Sequence, residues 1–170
     1  MIKSDELYLG VGRLVDSLGG LYTTAEDVNT TIADLEIVRR ATKYVSGLSR
    51  ESGGSGNPSS YTAYGVYLGV RAALGWAFDN DDPKGRTIAI QGVGAVGGAL
   101  AERLSEAGAI VYAADRNQAR LDDLTEKFGV KQIAADEILK MECDLLAPCA
   151  LGGILNDETI PQLCTKVVAG

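Results

Sequence analysis

Thr87-Ile88-Ala89-Ile90-Gln91-Gly92-Val93-Gly94-Ala95-Val96-Gly97-Gly98-Ala99-Leu100 is the stretch from which the fold is read. An apolar, β-branched run predicts a strand that enters Gly92-x-Gly94-x-x-Gly97. A helical apolar pattern follows through Val96, Ala99, Leu100, Leu104 and Ala107, and Gly108 closes it. A second apolar run, residues 109–114, ends on Asp115. Strand, glycine turn, helix, strand and acid within about thirty residues is the pattern of a dinucleotide-binding βαβ unit. Gly92 permits the tight turn, Gly94 lets backbone approach a pyrophosphate, and Gly97 lets the helix pack close to the strand. The unbonded N–H groups of Ala95, Val96 and Gly97 at the helix start, with the dipole behind them, favour phosphate. Asp115 stands where a carboxylate accepts from ribose hydroxyls. A glycine turn alone is commonplace; its flanks and the acid make the difference here.

Working outward, the chain has 170 residues, 46% of them hydrophobic and 23% charged, as in a globular protein. Its net charge of -7 argues against nucleic acid and anionic membranes as partners. No apolar run approaches the ~18 residues of a membrane span. The first residues do not read as a signal peptide, so a cytoplasmic location is expected. Histidine is absent, which removes His-activated nucleophiles and His metal sites. The three cysteines, Cys143, Cys149 and Cys164, lack metal-ligand spacing and read as reduced thiols. No metal site is expected.

Before the glycine turn, Leu7, Val11, Leu14, Val15 and Leu18 predict a helix over residues 5–18, stopped by Gly19-Gly20. A short strand is expected at 21–23 and a polar loop at 24–31. Thr31 with Asp34 reads as a capping box for a helix running to about Gly47. Residues 49–60, rich in Gly and Ser, mark a boundary. It separates residues 1–58 from 59–170. A long helix is expected from Thr62 to Phe78. Beyond Asp115 the expectation is a helix at 118–128, a strand at 130–134, a short helix at 135–141, a strand at 144–148, a helical turn at 159–163 and a strand at 166–170. Strands alternating with helices predict an α/β fold, a Rossmann-type doubly wound parallel sheet preceded by a helical segment.

Other residues admit two readings from spacing alone. Asp27, beside Glu26 in the polar loop, is a carboxylate for proton transfer or a solvated acid before a helix. The loop of Ala147, Pro148, Cys149 and Ala150 follows a strand end on the ligand side and contacts a nicotinamide half, or is an ordinary connection. Cys149 has no histidine to activate it as a nucleophile. Thr62 is a cofactor contact or a helix cap. Arg116 would favour a ribose 2′-phosphate and Asp115 would repel one; the acid, lying at the ribose itself, weighs more and points to NAD.

Together these segments resemble the amino acid dehydrogenases of the leucine, valine, phenylalanine and tryptophan type, relatives of glutamate dehydrogenase. The likeness is carried by Gly12-Arg13-Leu14-Val15, Leu18-Gly19-Gly20, Thr24-Ala25-Glu26-Asp27-Val28-Asn29-Thr30, Gly53-Gly54-Ser55-Gly56-Asn57-Pro58 and Thr62-Ala63-Tyr64-Gly65-Val66-Tyr67. It continues through Gln91-Gly92-Val93-Gly94-Ala95-Val96-Gly97, Ala147-Pro148-Cys149-Ala150-Leu151-Gly152-Gly153 and Asn156-Asp157-Glu158-Thr159-Ile160-Pro161. The resemblance implies oxidation of a branched-chain or aromatic L-amino acid to a 2-oxo acid and ammonia with NAD. It implies Asp27 as the catalytic aspartate, Thr62 at the nicotinamide amide and the 147–150 loop beside the nicotinamide ribose. It further implies a homo-oligomeric whole enzyme. Asn29, where many members carry Gly, leans toward an aromatic substrate. The family's glycine-rich segment with two lysines has no counterpart here. The expectation is therefore an internal piece, with 1–58 the end of the catalytic domain and 59–170 the NAD-binding domain, able to bind NAD without turning over an amino acid. A dinucleotide-binding sensor or scaffold without chemistry is the alternative.

Overall fold

A computed structural model describes residues 3–170. It divides into two compact units, Met1–Pro58 and Ser59–Gly170. In the first, α1 (Asp5–Ser17) begins at Ser4, whose hydroxyl accepts from the Leu7 N–H at 3.2 Å. Asp5 and Glu6 in its first turn complement the positive helix end. Helix α2 (Ile32–Arg39) opens on the expected capping box: Thr31 Oγ1 accepts from Asp34 N–H at 3.3 Å and Asp34 Oδ2 accepts from Thr31 N–H at 2.9 Å. Leu35 and Val38 are its buried side chains.

Helix α2 stops well short of Gly47. Thr42 is buried, and its hydroxyl accepts from the Tyr44 N–H at 3.2 Å, a local bond that competes with helix. Thr24 then pairs in parallel with Val45: the Thr24 N–H donates to the Tyr44 carbonyl at 3.0 Å, and the Ser46 N–H to the Thr24 carbonyl at 2.8 Å. Threonine, tyrosine and valine favour this extended state. The bridge also displaces the strand expected at 21–23, where Leu21, Tyr22 and Thr23 are exposed and unpaired as strand.

The second unit contains α3 (Ser59–Phe78), β1 (Thr87–Gln91), α4 (Ala95–Glu106), β2 (Ile110–Ala114), α5 (Gln118–Phe128), β3 (Lys131–Gln132), β4 (Cys143–Pro148), a 3-10 turn (Ile160–Gln162) and β5 (Thr165–Val168). All strand pairs are parallel, in the order β3-β2-β1-β4-β5. The fold is the expected Rossmann-type sheet. Alternation along each strand sorts the core. Ile88 and Ile90 of β1, Val111 and Ala113 of β2, and Leu145 and Ala147 of β4 meet Val70 and Leu74 of α3, Leu100 and Leu104 of α4, and Leu121 of α5. Ala89, Ala114 and Leu146 face the other way, onto Ile138, Ile133 and Leu163.

That second face carries no α-helix among the described residues. The helix expected at 135–141 is a run of turns. The Glu137 and Ile138 N–H groups share the Ala134 carbonyl, at 3.0 and 3.2 Å, and Lys140 then bonds back to Glu137 at 3.0 Å. The bonds restart rather than propagate, as expected where a helix is too short to nucleate. Ile138, fully buried, plugs the face from these turns. Helix α3 starts at Ser59, so Thr62 is not its cap but an exposed residue of its first turn. Strand order reverses between β1 and β4, which opens a crevice at their carboxyl ends.

Candidate functional site

The glycine turn occupies that crevice. Gly92 has φ +90°, and its N–H donates to the Ala114 carbonyl at 2.8 Å, tying the turn to the end of β2. From the other side the Cys149 N–H donates to the Gln91 carbonyl at 2.7 Å, tying it to the end of β4. A Cβ on Gly92 would sit 2.6 Å from the Ala150 Cβ, and one on Gly97 2.0 Å from the Gly92 carbonyl oxygen and 2.9 Å from the Cys149 Cβ. The structure thus brings residues 92–97 and 147–150 into contact. Gly97→Ala should cost on the order of 3 kcal/mol, because backbone rather than a side-chain tip must move. Urea unfolding checks this; an unchanged midpoint would show that the turn yields freely.

Gly94 differs. Its φ of -67° suits any residue, and a Cβ there would meet only the Arg120 guanidinium, at 3.8 Å. Among the described residues, none requires glycine here. Gly94 is also the N-cap of α4 and supplies no side-chain hydrogen bond to the helix start. The chain therefore presents an uncapped helix N-terminus beneath open space, with Arg120 of α5 at its rim. This is the arrangement that takes an anion.

Asp115 is half-buried at the end of β2. Its Oδ2 accepts from the Val93 N–H at 2.6 Å and its Oδ1 from the Asn117 N–H at 2.8 Å. Both oxygens are thus held in place by backbone and keep lone pairs for hydroxyl donors. Asp115, Arg116, Gln91 and Ala150 line a cleft of about 510 Å³ over the turn. A hollow of about 600 Å³ lies at the opposite, amino-terminal ends of β1, β4 and β5, around Thr87, Cys143 and Thr165. It has neither the glycine turn nor a helix start, and ligands of such sheets bind at the carboxyl ends.

Burial pushes the Cys149 thiol up to about 11 from an ordinary 9.0. Each unit removes tenfold of the reactive thiolate at neutral pH. Cys149 should therefore alkylate about 100-fold more slowly than an ordinary exposed thiol. Mass-resolved iodoacetamide labelling tests this, with exposed Cys164 as internal comparison. Labelling of Cys149 as fast as Cys164 would contradict it.

Asp27 belongs to the other unit. Thr30 closes its loop: the Asp27 N–H donates to Thr30 Oγ1 at 2.8 Å, and that hydroxyl donates to the Asp27 carbonyl at 2.6 Å. Asn29 is left-handed, with φ +62°. The exposed Asp27 carboxylate accepts from the Val28 N–H at 2.7 Å through Oδ1. Three residues escaped the sequence reading. Arg120 stands beside Gly94. Gln91 Oε1 is buried without a partner among the described residues. Glu26 holds Asn57 Nδ2 at 3.2 Å through Oε1, while its Oε2 is buried and equally unpartnered. Only for Glu26 did the sequence carry a signal, its place beside Asp27.

Comparison with known proteins gives this geometry its context. Residues 87–147 match the family described as NADP oxidoreductase, coenzyme F420-dependent. Leucine dehydrogenase of Geobacillus stearothermophilus is 48% identical over 168 residues, covering 99% of this chain and 46% of the relative. Valine dehydrogenase of Streptomyces albus is 46% identical over 172 residues, covering 99% and 47%. The L-tryptophan dehydrogenase structure from Nostoc punctiforme superposes with a TM-score of 0.75 at 36% identity, over 99% of this chain and 47% of that one. A hetero-hexameric glutamate dehydrogenase of Thermus thermophilus, 20% identical with a TM-score of 0.72, shares the fold. The chain spans about half the length of the relatives it matches. Along that half, sequence and fold agree: over 99% of its length the chain is similar to amino acid dehydrogenases.

Proposed function

We propose that this chain carries the cofactor-binding part of an NAD-dependent L-amino acid dehydrogenase that converts its substrate to a 2-oxo acid and ammonia. The observation that carries the reading is the glycine turn: Gly94 stands at an uncapped helix start where a Cβ would meet only Arg120, and Gly92 lines the cleft that contains the held Asp115 carboxylate. Residues 59–170 are the NAD-binding domain and residues 1–58 the end of the catalytic domain. The N–H groups of Ala95, Val96 and Gly97 and the Arg120 guanidinium hold the pyrophosphate. Asp115 accepts from the adenosine ribose, with Arg116 alongside. Ala147, Pro148, Cys149 and Ala150 line the nicotinamide ribose, and Thr62 contacts the nicotinamide amide. When bound, NAD supplies the acceptor for the hydride leaving the α-carbon.

Asp27 is the proton-transfer carboxylate, and the Asp27–Thr30 bonds fix its loop. The likeness to leucine and valine dehydrogenases favours a branched-chain substrate over an aromatic one. It also favours an enzyme over a non-catalytic dinucleotide sensor or scaffold. The whole protein works as a homo-oligomer.

NAD should bind at least about tenfold tighter than NADP, since a 2′-phosphate facing Asp115 loses two hydrogen bonds and gains repulsion. Calorimetric titration of both cofactors at one salt concentration tests this. Tighter NADP binding would show that Arg116 and Arg120 outweigh the acid.

A further inference from the structure

The cleft over the glycine turn holds three polar side chains among the described residues: Gln91, Asp115 and Arg116. The rest of its wall is glycine, alanine, leucine and isoleucine. Strands β1 and β2 pair with Gln91 opposite Ala114, so Gln91 stands diagonal to Asp115 on the neighbouring strand. Neighbouring strands lie about 4.8 Å apart, which brings the amide and the carboxylate within reach of one sugar.

The Gln91 main chain is already used, since its carbonyl accepts from the Cys149 N–H at 2.7 Å. The side chain is not. Its Oε1 is buried without a partner among the described residues. A buried acceptor left in this state destabilises the free chain, and an apolar side chain of the same length would not. A polar group that costs the fold and lines the cleft is placed for a ligand.

We propose that Gln91 binds the 3′-hydroxyl of the adenosine ribose. That hydroxyl shares its proton between the Asp115 carboxylate and Gln91 Oε1 in a three-centre bond. Chain order decides between the two hydroxyls. Gln91 directly precedes Gly92, where the turn that faces the pyrophosphate begins. In the sugar, the 3′-carbon adjoins the carbon that bears the phosphate arm, whereas the 2′-carbon adjoins the one that bears the base. The residue beside the turn therefore meets the 3′-hydroxyl, and the 2′-hydroxyl is left to Asp115. The proposal rests on the reading that a dinucleotide crosses the turn to Asp115.

The test couples a protein change to a ligand change. Calorimetry on the purified 170-residue chain and on Gln91→Met compares NAD with two analogues, one lacking the adenosine 2′-hydroxyl and one the 3′-hydroxyl. Gln91→Met should weaken NAD and the 2′-deoxy analogue at least about fivefold each, the effect of one neutral hydrogen bond. It should weaken the 3′-deoxy analogue less than about twofold, because the partner is already gone. Gln91→Leu serves the same comparison if the methionine variant does not fold. Equal weakening of all three ligands would make Gln91 merely structural and overturn the proposal. So would a loss that follows the 2′-hydroxyl, or no loss at all. In those cases NAD still binds the unmodified chain and the cofactor reading stands; failure of the unmodified chain to bind NAD would sink both.

Discussion

Gly94→Asp should make the chain more stable and unable to bind NAD. The two effects have one cause. Helix α4 starts without a side-chain cap, and the N-cap backbone is already extended, at φ -67° and ψ -156°. An aspartate there can accept from the first-turn N–H groups and stabilise the helix by about 1 kcal/mol. Its charge favours the positive helix end, and Arg120 stands within reach of the new side chain. The same carboxylate occupies the place proposed for the pyrophosphate and repels it. NAD affinity should fall by at least about 100-fold, a loss near 3 kcal/mol. Thermal unfolding and calorimetry on the same sample read both. A variant that is stabilised and still binds NAD normally would place the phosphates elsewhere. One that is destabilised would mean that the fold needs Gly94 after all.

Asp27→Asn, made in the whole protein proposed to be a dehydrogenase, should lower turnover by about 10²- to 10⁴-fold, the range of acid–base groups. The change is nearly isosteric. The asparagine oxygen can keep the bond now accepted from the Val28 N–H, and the Thr30 bonds involve only the Asp27 backbone. The loop should therefore hold its shape, and NAD affinity should change little. Steady-state kinetics with leucine and valine, alongside cofactor titration, separate the two effects. Near-normal turnover would return Asp27 to a solvated loop acid.

The sequence made the cofactor unit legible because its information is local. Alternation along β1, the glycine spacing and Asp115 lie within one short segment, and the parallel sense of the sheet follows from the alternation of strands and helices. The length of α2 was not legible. Residues 42–46 carry helix-compatible apolar spacing, but their conformation is decided by pairing with Thr24, far back in the chain. Residues 135–141 misled in the same way: Ile138 and Leu139 fit an apolar helix, whereas the segment has only to bury Ile138 under the sheet. Of the site residues, those in motifs were readable. Arg120 was not, since only the packing of α5 against α4 brings it to Gly94. The buried oxygens of Gln91 and Glu26 were not either, because burial is a property of the fold.

The central claim is that one dinucleotide lies across the glycine turn and reaches Asp115. Backbone amide NMR of the 170-residue chain titrated with NAD tests it most directly. The prediction is a saturable set of shifts at Gly92 through Gly97, at Asp115 and Arg116, and at Cys149 and Ala150. The amino-terminal ends of β1, β4 and β5 should stay silent. Shifts concentrated around Cys143, Cys164 and Thr165 instead, or none up to millimolar NAD, would contradict the account.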